Sequence, residues 1–88
     1  MPEVKLYGSL RLRGGIARAT VPGATVREVL AALCEGNDDL CAAIYNGQEL
    51  RPFVRITVGG HDIILAEGLD TPVAESDSLA IFPPIAGG

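Results

Sequence analysis

Apolar and polar residues alternate through EVKLYGSL at 3–10, with Val4, Leu6 and Leu10 on one face and Glu3, Lys5 and Tyr7 on the other. This pattern predicts a half-buried strand. Gly14-Gly15 offers two positions that accept positive φ, a hairpin signal, and IARATV at 16–21 alternates again up to the turn pair Pro22-Gly23. The period then changes. Val26, Val29, Leu30, Leu33 and Cys34 follow the i, i+3, i+4, i+7, i+8 spacing of one helical face. Thr25 with Glu28 three residues on forms a capping box for the first turn. Gly36 is a stop near the C-cap.

Within 37–52, DDLCAAIY predicts a short second helix or a turn, and NGQELRP a loop. FVRITV at 53–58 alternates as a strand, Gly59-Gly60 marks a second hairpin turn, and HDIILA at 61–66 returns as its partner. Residues 68–78 are rich in turn formers. LAIF at 79–82 is a last short strand, ended by Pro83 and Pro84, neither of which can donate to a ladder. The order strand, strand, helix, strand, strand, strand is α+β: one main helix crossing a small mixed sheet, with a β-grasp arrangement as its natural closure. Residues 1–82 form the domain in this reading, and 83–88 a flexible C-terminal tail.

Composition narrows the function. Eighty-eight residues allow one domain. Hydrophobic residues at 48% and charged residues at 20% are globular, while aromatics at 5% with no Trp leave the core to Val, Ile, Leu and Ala. Such a domain has little room for a deep pocket of its own, so catalysis by the chain alone is not expected. Seven Lys plus Arg against eleven Asp plus Glu give a net charge of −4, which removes the electrostatic drive for nucleic-acid binding. The longest apolar run falls short of the roughly 20 residues of a membrane span. MPEVKLYGSL shows no basic segment followed by an apolar stretch, so no secretory signal and a cytoplasmic location are expected.

Metal chemistry finds no support either. A structural zinc site needs four ligands, and the chain offers Cys34, Cys41 and a single distant His61. The cysteines read as core filler, and His61 as a solvated turn residue. Asp62, Asp70, Glu75 and Asp77 fit no calcium-loop spacing and read as a solvated acidic edge. No bound cofactor is expected.

The ending PPIAGG is not needed to finish the core. Pro83-Pro84 fixes an extended exit, and six extended residues reach roughly 20 Å. Gly87 and Gly88 then present an α-carboxylate with no side chain nearby, although two glycines are costly to order. The chemistry suited to this shape is carboxyl activation. A carboxylate is ionised and inert at neutral pH; ATP makes it an acyl donor, on a separate enzyme that can thread a thin tail through a narrow channel. A frayed terminus with incidental glycines is the bland alternative.

IFPPIAGG (Ile81 to Gly88), and the hairpin, turn and tail layout from Val58 onward, resemble the MoaD/ThiS family of ubiquitin-like sulfur carriers over nearly the whole chain. The stretch 37–52 is longer than in the compact MoaD pattern, and LRPFV at 50–54 resembles archaeal and actinobacterial relatives more. The resemblance implies a β-grasp body whose Gly88, preceded by Gly87, is adenylated with ATP by a ubiquitin-activating-type adenylyltransferase and then thiocarboxylated. It implies sulfur donation to a partner enzyme: the large subunit of molybdopterin synthase in the MoaD branch, or a thiamine- or cysteine-pathway enzyme in others. A ubiquitin-like modifier conjugated to lysines through Gly88 is the other class it leaves open. The partner-facing set it implies is Tyr7, Arg11, Phe82, Pro83, Pro84 and Ile85.

Overall fold

The computed structural model describes residues 1–84. Its elements run β1 (Glu3–Leu6), α1 (Gly8–Gly14), β2 (Arg18–Thr20), α2 (Val26–Cys34), α3 (Asp38–Ile44), β3 (Tyr45–Asn46), β4 (Glu49–Leu50), β5 (Arg55–Val58), β6 (His61–Asp62) and β7 (Ser78–Phe82), with 3-10 turns at Ile63–Leu65 and Gly68–Asp70. Five strands form one sheet in the order β2-β1-β7-β5-β6, and β3-β4 make a separate hairpin. β1 and β7 pair in parallel at the centre (Val4 with Leu79, Leu6 with Ile81), and every other pairing is antiparallel. This is the expected β-grasp.

The core is wholly aliphatic. Val4, Leu6, Ile56, Leu79 and Ile81 from the sheet meet Val26, Val29, Leu30 and Leu33 of α2, with Leu10, Leu40 and Ile44 closing the far side. Each fully buried side chain of this size stabilises by about 1.5–3 kcal/mol before entropy is counted. The capping box forms. Thr25 Oγ1 accepts from Glu28 N–H at 3.2 Å, and Glu28 Oε1 reaches back to accept from Ala24 N–H at 3.1 Å. Asn37 caps α3 by accepting from Leu40 N–H, and its amide donates to Gly14 O, tying α3 to the end of α1.

Several local expectations are corrected. The first strand stops at Leu6, and residues 8–14 form a helix, not the far half of a strand leading to a Gly14-Gly15 hairpin. Tyr7 N–H still donates to Ile81 O, but the next ladder position on the β7 side falls among prolines, which have no N–H to offer. The chain turns away there, and α1 buries Leu10 while leaving Leu12 in water. The strand expected over 61–66 ends at Asp62, whose carboxylate accepts from Ile64 N–H at 3.0 Å and bends the chain into a 3-10 turn. Phe53 adopts φ 69°, outside the strand that begins at Arg55. Gly47-Gln48 turns the β3-β4 hairpin inside the expected loop, with Gly47 at φ 72°. Cys34 and Cys41 are half-buried free thiols, not fully buried filler.

Candidate functional site

β7 delivers Phe82 to the rim of the sheet, and on the neighbouring strand β1 stops at Leu6, leaving Tyr7 at the junction with α1. Their rings stack with centroids 4.7 Å apart and planes inclined by 12°, a geometry worth about 0.5–1.5 kcal/mol beyond area burial. Tyr7 remains 42% exposed and Phe82 is half-buried, so the pair is a surface feature anchored at one edge of the core. Sequence parity had placed Tyr7 outward; the parallel β1-β7 register brings it to Phe82. Gly8, the first residue of α1, sits at φ 58° directly against Pro83.

Pro83 and Pro84 stand between two grooves. One is apolar, about 1070 Å³, lined by Phe53, Val54, Ile56, Ile64 and Phe82 among others. The second, about 400 Å³, is walled by Ser9, Leu10, Ala42 and Ala43 with the guanidinium groups of Arg13 and Arg51. Arg51 is steadied by donating from Nε to Ala42 O. Two arginines beside the chain exit oppose the net charge of −4 of the whole chain. Neither groove was anticipated from the sequence. The Phe53 turn and the bend at Asp62 that expose Phe53 and Ile64 fall in stretches whose pattern predicts strand, and Arg13 and Arg51 are 38 positions apart.

Arg11 is exposed on the last turn of α1 and forms no ion pair among the described residues. Ile85, Gly87 and Gly88 lie outside the described residues. The acidic edge is put to structural use. Asp62 pairs with Arg55 and Asp70 with Arg27, each at 3.2 Å, while Asp77 Oδ2 accepts from Ala74 N–H at 2.7 Å. His61 is exposed beside the Gly59-Gly60 turn. Burial first, then the neighbouring Cys41 thiol, pushes the Cys34 thiol from its ordinary 9.0 up to about 12. Burial likewise raises Tyr45. No group of three or more His, Cys, Asp or Glu able to hold a metal occurs among the described residues, and no helix there is long and apolar enough to cross a membrane. The described residues therefore offer grooves and a seated chain exit, and no assembled acid–base or nucleophilic set.

The architecture defines the class: a ubiquitin-like β-grasp domain. The sequence pattern of the ThiS family matches residues 4–88, and the chain belongs to that family. A small archaeal modifier protein 3 from Haloferax volcanii is 32% identical over 65 residues, 74% of this chain and 71% of that protein. The solution structure of small archaeal modifier protein 1 from Methanosarcina acetivorans superposes with a TM-score of 0.90 at 30% identity, covering 99% of this chain and 95% of that one. The Amycolatopsis orientalis BexX/CysO complex contains a chain similar at a TM-score of 0.88 and 28% identity, with full coverage of both. A putative sulfur carrier protein from Archaeoglobus fulgidus is 38% identical over 65 residues, 73% of this chain and 74% of that protein.

Proposed function

We propose that the chain is a sulfur carrier that acts through Gly88. On an activating enzyme the Gly88 carboxylate attacks the α-phosphorus of ATP, releasing pyrophosphate and leaving an acyl adenylate. Hydrosulfide then displaces AMP to leave a thiocarboxylate, whose sulfur bonds to the substrate of a recipient enzyme; water cleaves the acyl–sulfur bond and returns the Gly88 carboxylate. The observation that carries this reading is the chain exit: Phe82 stacked on Tyr7, Pro83 against Gly8, and Pro83-Pro84 leading toward Gly87-Gly88 in a ThiS-family chain. Occurrence of the similar CysO chain in a complex with BexX supports a partner-dependent role. The ending IFPPIAGG favours the large subunit of molybdopterin synthase as recipient, with thiamine- and cysteine-pathway enzymes as alternatives.

The test is the intact mass of protein isolated from its own host, with the recipient identified by what copurifies. A thiocarboxylate mass that disappears when Gly88 is deleted or a residue is appended is the expected result. Adenylation that survives a C-terminal extension would overturn it.

Similarity to small archaeal modifier proteins favours a second reading, in which Gly88 is joined to lysines of other proteins. Lys5 is the one lysine available for chains of the protein on itself, and it is half-buried on β1. A denaturant-resistant ladder of conjugates in host lysate, lost on deleting Gly88, would put this reading first; its absence leaves the carrier.

A further inference from the structure

The junction of β1 with α1 and the end of β7 meet at two points. Tyr7 stacks on Phe82, and Gly8 lies beneath the ring of Pro83. A Cβ placed on Gly8 would stand 2.9 Å from Pro83 Cγ and 3.4 Å from Pro83 Cδ, closer than side chains pack without something moving. A proline ring is closed onto its own backbone nitrogen, so it cannot swing aside as a flexible side chain would. A methyl group at position 8 therefore pushes on the Pro83 ring and, through the ring closure, on the backbone that carries it. That backbone separates the apolar groove from the groove holding Arg13 and Arg51, since Pro83 and Pro84 line both.

We propose that Gly8 is a positioning residue: its missing side chain seats Pro83 and so sets the direction in which the C-terminal segment leaves the body toward an activating enzyme. This rests on the carrier reading above. Docking of the body and aim of the tail are then separable, because Tyr7 and Phe82 face outward whatever the path beyond Pro83. The seat governs how often the Gly88 carboxylate reaches ATP, not how tightly the body binds.

The experiment measures adenylation of the full chain by the activating enzyme of its host, as ATP–pyrophosphate exchange, for the wild type, Gly8→Ala, Pro83→Ala and the double variant. Nuclear Overhauser contacts from the Gly8 α-protons to the Pro83 ring report the seat directly. Misplaced reacting groups lose rate steeply, so Gly8→Ala is expected to lower kcat about tenfold or more with KM nearly unchanged. Alanine at φ 58° is also strained, but that strain is present equally in the double variant. The double variant lacks the ring that the methyl group strikes, so its kcat should recover to that of Pro83→Ala, about threefold below wild type. Equal loss in Gly8→Ala and the double variant, or a change confined to KM or melting temperature, would overturn the proposal. Should Gly8→Ala not fold, Pro83→Ala decides alone, an unchanged kcat ruling the seat out. A wild-type chain that is never adenylated would refute the carrier reading itself, whatever the Gly8–Pro83 contacts show.

Discussion

Tyr7 and Phe82 share one stacked contact, with one side against the sheet rim and the other in water. Replacing either by Ala removes apolar area from a partially exposed site, so the cost to folding should stay well under the 3–5 kcal/mol typical of a buried aromatic. If the pair anchors a partner, the same change weakens binding by about 1–3 kcal/mol. Calorimetric titration and melting curves on each variant separate these outcomes; a large stability loss with unchanged affinity would assign the rings to the core. Cys34 gives a second prediction at this scale. Its thiol titrates near 12 in the folded chain against 9.0 ordinarily. Between those values the folded state holds a proton that the unfolded state has lost, so stability is complete below pH 9 and declines as pH rises toward 12. Tyr45 shifts in the same direction. Melting temperature followed from pH 8 to 11 should fall, and less steeply in Cys34→Ala.

Among the elements, α2 is the one whose limits the chain spells out. Thr25 and Glu28 close its first turn, and its buried face is the predicted stripe Val26, Val29, Leu30 and Leu33. Thr25→Ala should cost about 1 kcal/mol, a fall of roughly 4–8 °C in melting temperature for a domain of this size; a shift within experimental error would show that tertiary packing alone holds the helix end. The short elements behave differently. α1 and the turn at Ile63–Leu65 both occupy stretches whose alternation or apolar run predicted strand. A short apolar run does not distinguish strand from helix, and what decides is whether a ladder partner exists. For residues 8–10 the partner side has run into prolines. At residue 64 the Asp62 carboxylate has taken the N–H, which leaves Ile64 and Leu65 81% and 87% exposed.

At the scale of the whole molecule, an aliphatic core, one long helix over a mixed sheet and an acidic balance of charge all follow from the chain read alone. They are legible because they rest on periodicity, capping and counting, each a property of neighbours in sequence. The Pro-Pro exit and the outward parity of Tyr7 were legible for the same reason, and they identify the candidate site's starting materials. Its assembly was not legible. The parallel β1-β7 pairing sets Leu6 beside Ile81, and only that register carries Tyr7 onto Phe82 and Gly8 under Pro83. The Arg13–Arg51 groove likewise exists because Asn37 ties α3 to the end of α1 and Arg51 reaches back to Ala42. Sequence by itself determined which residues are apolar, which cap, and where the chain must stop pairing. Tertiary structure alone decided which of them touch across some 75 positions (Phe82 minus Tyr7), because strand register is fixed by burial of Val4, Leu6, Leu79 and Ile81 on one shared face, and a slip of either strand by one residue would turn its own pair into water.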